Sequence, residues 1–131
     1  MDLRALIAVL VGGGIGSVAR YAVGFWFTQR FGPGLPIGTF AVNITGCLII
    51  GLVAELAQTR ALGVTPLVRI FLMVGVLGGY TTFSSFAYEL FTLTSERFPL
   101  AALIYASASV ILGLAAAYTG AVVARVLAGA H

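Results

Sequence analysis

Residues 98–124 read FPLAALIYASASVILGLAAAYTGAVVA, a stretch without a single Asp, Glu, Lys or Arg. The hydrocarbon core of a bilayer is about 30 Å thick and a helix rises about 1.5 Å per residue, so roughly 20 apolar residues cross it. Backbone N–H and C=O groups find no water in lipid, and the stretch is much longer than the roughly 9–11 residues of a barrel strand. It therefore predicts a transmembrane α-helix.

Three further uncharged runs have the same character and cover residues 5–19, 31–54 and 70–88. The whole chain is 60% hydrophobic and only 8% charged, whereas soluble domains carry about 25% charged residues. The sequence predicts an all-α integral membrane protein in which residues 1–131 form one domain. The four transmembrane helices are expected at about residues 3–28, 37–58, 68–95 and 98–125.

The N-terminal run admits a second interpretation as a signal peptide, because Arg4 precedes apolar residues and Ser17-Val18-Ala19 resembles a cleavage site. We favour a membrane span, since glycine and aromatic motifs continue straight through this segment. Gly12 and Gly16 share one helix face, which favours close packing against another helix.

No catalytic constellation appears in the sequence. The single histidine is terminal, and the single cysteine, Cys47, allows neither an intrachain disulfide nor a cysteine metal cluster. No Ser/His/Asp, metal-cluster or P-loop pattern is present either. Most of the charges, which sum to +3, lie at the ends of the uncharged runs, where side chains reach the interface. We therefore expect neither an enzyme nor a nucleic-acid-binding protein.

The third span is unusual, because residues 75–86 read GVLGGYTTFSSF and place adjacent glycines and four hydroxyl residues at mid-membrane. Glycine is about 1 kcal/mol worse than alanine in a helix, and Ser or Thr hydroxyls can bond freed carbonyls. We therefore expect a break near residues 78–82, of the kind that lines ion sites at membrane depth. A glycine kink packed against a neighbouring helix is the alternative.

Neutral polar residues occur at a similar depth in other spans. The amide of Asn43 must face protein or water, so it either lines a polar path or makes an interhelical hydrogen bond. Amide and hydroxyl donors can replace the hydration water of an anion, and phenyl edges carry a positive quadrupole, although phenylalanines more often serve packing alone. The candidate path comprises Asn43, Thr81, Thr82, Phe83, Ser84, Ser85, Phe86, Tyr105 and Ser109.

Three motifs resemble the Fluc/CrcB family of small dual-topology fluoride channels. They are GTFAVNITG at residues 38–46, GGYTTFSSF at residues 78–86 and GSVARY at residues 16–21, and they occur in the family's order and spacing over nearly the whole chain. The resemblance implies a passive fluoride channel in a bacterial inner membrane. It further implies an antiparallel homodimer with two pores, a broken third helix and a central structural sodium ion.

The resemblance also implies roles for individual residues. The backbone carbonyls of Gly78 and Thr81 would hold the sodium ion, and Arg20 would lie near an aqueous vestibule. Gly113 departs from relatives that carry a hydroxyl there, so we expect a thinner polar lining on the fourth span. The residues implied to line or flank the fluoride pore are Asn43, Phe83, Phe86, Ser109, Tyr105, Thr39, Thr82 and Ser85.

Two other functions compete with this interpretation. A small proton-coupled multidrug exporter is also a four-span dimer, but it needs an acid at mid-membrane, and Asp2, Glu55, Glu89 and Glu96 all lie at or near run ends. A purely structural membrane protein would use the glycines and hydroxyls for packing and assembly alone.

The arginines favour dual topology independently of the resemblance. An even number of spans places both termini on one side, and the two sides then carry four and three arginines. Orientation follows an excess of positive residues in cytoplasmic loops, so this small difference leaves it poorly determined. The two sets are Arg4, Arg60, Arg69 and Arg125 against Arg20, Arg30 and Arg97.

Overall fold

The computed structural model describes residues 2–59 and 64–129, so Arg60 and His131 of the sequence analysis lie outside the described residues. The described chain contains four helical segments that are long and apolar enough to cross a membrane. The protein is therefore an all-helical, multi-pass membrane protein in its described part. The first two segments are the helices α1 (Leu3–Phe31) and α2 (Ile37–Thr59).

The ends of α1 follow from local chemistry. The Asp2 side chain caps the start, since its Oδ1 accepts a hydrogen bond from the backbone N–H of Arg4 at 3.0 Å. Gly32 ends the helix with a φ of 82°, a left-handed conformation that costs little only for glycine. The N–H of Gly32 still donates to the carbonyl of Thr28 at 2.9 Å, which satisfies one of the last carbonyls of α1.

The third span is composite. Thr81 and Thr82 have extended backbone dihedrals, with φ −79° and ψ 159° at Thr81 and φ −151° and ψ 117° at Thr82. Helical geometry therefore stops after Tyr80 and resumes at Phe83. In chain order the span consists of α3 (Pro66–Arg69), a π-helical segment (Ile70–Leu77), α4 (Gly78–Tyr80), the two extended residues and α5 (Phe83–Ser95).

A short turn leads from α5 to α6 (Pro99–Gly129), the longest helix of the described chain. Helix α6 packs along α2 through small residues. A Cβ atom on Gly120 would overlap the carbonyl oxygen of Leu48, so the two backbones approach as closely as glycine allows. At the far end of this pair the Arg125 guanidinium bonds both carboxylate oxygens of Glu55, the shorter contact being 2.9 Å. Small residues of the fourth span therefore serve close helix contacts.

Helix α1 packs against the π-helical segment and α4 in the same manner. Gly12 and Gly16 are buried in this contact. A Cβ on Gly12 would lie 2.8 Å from the carbonyl oxygen of Phe71, and one on Gly16 would overlap the carbonyl oxygen of Val76. The prediction that these two glycines permit close helix packing is confirmed.

Candidate functional site

The interruption in the third span is held by a side chain of α2. The Asn43 Nδ2 donates to the carbonyl oxygen of Thr82 at 3.1 Å, and the Thr82 N–H donates to Asn43 Oδ1 at 2.8 Å. One amide therefore satisfies both backbone polar groups of one extended residue. Of the two interpretations given to Asn43 by the sequence, the interhelical hydrogen bond is present.

Thr82 also caps α5, and its side chain is buried. Its Oγ1 accepts the backbone N–H of Ser85 at 3.2 Å and donates to the Ser85 hydroxyl at 3.1 Å, while the Ser84 hydroxyl lies 3.3 Å away. The first N–H groups of a helix have no partner inside the helix, and the helix dipole makes this end positive. Helix α5 thus directs its positive end toward the middle of the span.

The interruption redirects two N–H donors away from their helical acceptors. In a continuous helix the N–H of Thr82 would bond to the carbonyl of Gly78, and that of Ser85 to the carbonyl of Thr81. Here they donate to Asn43 Oδ1 and Thr82 Oγ1 instead. Among the described residues, the Thr81 carbonyl accepts a single long bond, 3.5 Å, from Nη1 of Arg20. Uncharged carbonyl oxygens of this kind suit a hard monovalent cation, so the donor set at Gly78 and Thr81 fits sodium.

Three aromatic rings continue from the interruption along α5 toward α6. The ring centroids of Phe83 and Phe86 are 5.8 Å apart, and Phe86 meets the ring of Tyr105 edge-on at 5.2 Å. The Phe83 side chain is 79% exposed, whereas Tyr105 is buried. The structure therefore brings three of the predicted site residues into one row.

Glu89 joins this row and is the functional candidate that the sequence analysis missed. Its Oε1 accepts the Thr39 hydroxyl at 2.6 Å and its Oε2 accepts the Tyr105 hydroxyl at 2.7 Å. The carboxylate is half-buried and links the second, third and fourth spans. Thr39 and Tyr105, which the resemblance implies to flank the pore, both direct their hydroxyl protons to Glu89. The three-residue spacing of Phe83, Phe86 and Glu89 on one helix face was the available signal.

The Ser109 hydroxyl is buried and has no hydrogen-bond partner among the described residues. A buried hydroxyl without a partner costs about 1–3 kcal/mol, which makes this oxygen a candidate contact for an ion or water. One turn further along α6, a Cβ on Gly113 would lie 3.4 Å from the sulfur of Cys47. The thiol of α2 therefore lies beside the position at which this chain lacks a hydroxyl.

Two cavities adjoin these residues. The central groove has a volume of about 290 Å³ and brings together Asn43, Gly78, Thr81, Thr82 and Phe83. The loop-side cavity has a volume of about 440 Å³, and its lining includes Thr39, Glu89 and the turn at residues 33–36. Phe83, the first ring of the row, lines the central groove, and Glu89 lines the loop-side cavity.

These features define a class of protein: a small membrane bundle with an interrupted span and an internal row of mostly neutral polar and aromatic groups. No group of three or more His, Cys, Asp or Glu residues that could hold a metal ion occurs in the described ranges. The chain belongs to the CrcB family. The model of this family, described as CrcB-like protein, Camphor Resistance (CrcB), matches residues 7–121.

Several curated relatives align with almost the whole chain. A protein of Rhizobium meliloti (strain 1021) named fluoride-specific ion channel FluC is 43% identical over 125 residues, covering 95% of this chain and 99% of the relative. A FluC protein of Chloroflexus aurantiacus (strain J-10-fl) is 44% identical over 127 residues, with 97% and 100% coverage. FluC 1 of Nitrobacter hamburgensis is 48% identical over 127 residues, with the same coverage.

Proposed function

We propose that this chain is a subunit of a passive channel that exports fluoride across a bacterial inner membrane. Membership of the CrcB family and the name of the relatives support the choice of ion. The single observation that carries the proposal is the break in the third span, where α5 directs its positive end and its hydroxyl cap into the membrane interior.

The residues near the break carry groups that can replace the hydration water that an anion loses when it enters the membrane. Hydroxyl donors at Ser85 and Ser109 would replace hydration, and the ring edges of Phe83 and Phe86 would present positive partial charge. None of these groups is a fixed cation that would trap the ion, and conduction requires binding that is weak enough to reverse. Thr39, which lines the loop-side cavity, and Tyr105, which bonds Glu89 with it, flank the path.

The open side of the site supports assembly as an antiparallel homodimer. Phe83 is largely exposed, and the central groove opens at the surface of a single chain. A second copy in the opposite orientation would cover both and complete two pores, one along each α5. The dual topology that this requires agrees with the nearly even distribution of arginines.

A structural sodium ion would bind where two copies of the break meet. The carbonyl oxygens of Gly78 and Thr81 would hold it, and it would supply a fixed positive charge between the two pores. Arg20, whose guanidinium reaches the Thr81 carbonyl, would lie beside this charge and near the aqueous vestibule. If sodium binds here, purified protein should be more resistant to heat in sodium than in N-methylglucamine buffer; equal stability in both would contradict the ion's structural role.

The test of the function is fluoride efflux from liposomes that contain the purified protein, followed with a fluoride electrode. A channel should release fluoride without ATP or a proton gradient, and chloride should stay behind under the same conditions. A purely structural membrane protein would leave both ions trapped, whereas a proton-coupled exporter would depend on the pH gradient.

A further inference from the structure

The contact between Asn43 and Thr82 requires a side chain with the length of asparagine that carries both a donor and an acceptor. Thr82 is extended, so its N–H is not aligned with a helical partner. Asn43 pairs with this N–H and with the Thr82 carbonyl, at 2.8 and 3.1 Å, in the manner of two facing residues in an antiparallel sheet. A carboxylate could accept the N–H but could not donate to the carbonyl, and Asn43 is the only asparagine in the chain.

The backbone of α2 is shaped to allow this contact. A Cβ atom on Gly46, three residues after Asn43, would overlap the Cγ2 of Thr81. The glycine therefore lets the extended segment approach α2 closely enough for the short Asn43 side chain to reach Thr82.

The contact competes with continuation of the helix. By accepting the N–H of Thr82, Asn43 removes the donor that a continuous helix would direct to the carbonyl of Gly78. Without the amide, the most accessible partner for the Thr82 N–H in a low-dielectric surrounding is that carbonyl. Loss of Asn43 would therefore favour closure of the break and would move the start of α5.

From these contacts we infer that Asn43 is a positioning residue, whose amide holds the Thr82 peptide extended and thereby fixes the break from which Phe83 and the α5 hydroxyls project. Its effect on fluoride passage, which rests on the proposed function, is exerted through Thr82. The structural part of the inference concerns only Asn43 and Thr82, so it can be tested whether or not fluoride is the ion.

Hydrogen exchange at the Thr82 amide tests the structural part. In Asn43→Ala, exchange at Thr82 should be about tenfold faster than in the wild type, the factor that corresponds to one lost hydrogen bond. Asn43→Asp retains the acceptor for this N–H, so exchange there should stay within about threefold of the wild type. Cys47→Ala is the matched control, because it removes a side chain of the same groove one turn along α2 and should leave Thr82 unchanged. Equal exchange in Asn43→Ala and the wild type would overturn the inference.

Fluoride efflux tests the functional part through a double perturbation. Replacing the Thr82 amide by an ester removes its N–H and should slow efflux by itself. If Asn43 acts through Thr82, adding Asn43→Ala to the ester protein should slow efflux by much less than the product of the two separate factors. Effects that multiply would show that Asn43 acts on the ion directly, and would overturn the inference.

The two measurements also separate this inference from the proposed function. If Asn43→Ala does not assemble, Asn43→Leu decides, because leucine keeps the side-chain volume and lacks both polar atoms: exchange at Thr82 accelerated about tenfold supports the amide contact, and near-normal exchange refutes it. If the wild type conducts no fluoride, the channel proposal fails while the exchange measurements still judge the role of Asn43.

Discussion

Replacing Phe83 and Phe86 by isoleucine tests whether ring edges contribute to fluoride passage. Isoleucine keeps an apolar side chain of substantial volume but has no quadrupole, so it removes the proposed contact and retains bulk. The two positions differ in their surroundings, and the expected effects differ accordingly. Phe83 is 79% exposed, whereas Phe86 meets the ring of Tyr105 at 5.2 Å.

The magnitude follows from these surroundings. A cation over a ring face gains about 2 kcal/mol when desolvated, and we take a similar value for an anion at the ring edge. Loss of one such contact at the rate-limiting position would slow efflux by about 30-fold. Phe86→Ile should in addition lose its ring pairs with Tyr105 and Phe83, each worth about 0.5–1.5 kcal/mol of stability, while Phe83→Ile loses only the pair with Phe86 and should lower the melting temperature less.

The assay is fluoride efflux from liposomes at matched protein density, with thermal unfolding measured in detergent on the same preparations. Phe91→Ile is the control, because Phe91 is another largely exposed phenylalanine of α5 that lies outside the aromatic row. Wild-type efflux from the correctly assembled double variant Phe83→Ile, Phe86→Ile would refute the role of the rings.

Three further predictions concern packing, the buried acid and topology. Gly16→Val should prevent accumulation of folded protein, because a Cβ there overlaps the Val76 carbonyl and overpacking costs about 1–3 kcal/mol or more; a normal yield and gel-filtration profile would contradict this. Tyr105→Phe should lower stability by about 1.5–3 kcal/mol, because Glu89 loses a donor at 2.7 Å; an unchanged unfolding midpoint would argue against that bond. In a cysteine-free background, Asp2→Cys should react with an impermeant thiol reagent from both sides of the membrane. Labelling from one side only, with active channels, would exclude dual topology.

The four spans could be predicted from the lengths of the uncharged runs, because a bilayer fixes the number of apolar residues needed to cross it. The helix ends could not be placed as well. Helix α1 continues to Phe31 and α6 to Gly129, beyond the expected residues 28 and 125. Helices extend into the interface, where water and capping groups rather than hydrophobicity decide the end.

The interruption of the third span was expected near residues 78–82 from its glycines, but Gly78 and Gly79 are helical and the extended residues are Thr81 and Thr82. The glycines serve a different purpose: a Cβ on Gly79 would overlap the carbonyl oxygen of Gly13 in α1. The exact position of the extended residues depends on Asn43, which is distant in sequence. The local helix propensity of residues 78–82 therefore does not predict which of them are extended.

The position of Glu89 directly after an uncharged run predicts a place at the membrane interface, whereas its three-residue spacing from Phe83 and Phe86 puts it on their helix face. In the structure α5 continues past Glu89 to Ser95, and this half-buried carboxylate bonds side chains of α2 and α6. Its two hydroxyl donors come from other spans, Thr39 and Tyr105, and only the folded chain brings them to the carboxylate.

The carboxylate of Glu89 lies beside the proposed anion path and therefore repels the ion electrostatically. Glu89 lies six residues beyond Phe83, which corresponds to about 9 Å along the axis of α5. At an effective dielectric constant of about 20, two unit negative charges at that distance repel each other by about 1.8 kcal/mol. A fluoride ion near the break would be bound less tightly by that amount, and the Arg20 guanidinium near Thr81 offsets part of it. A site that retained its anion would be impaired by such repulsion, whereas the proposed path needs reversible, weak binding and benefits from it. The position of Glu89 therefore favours passage of the ion over its retention.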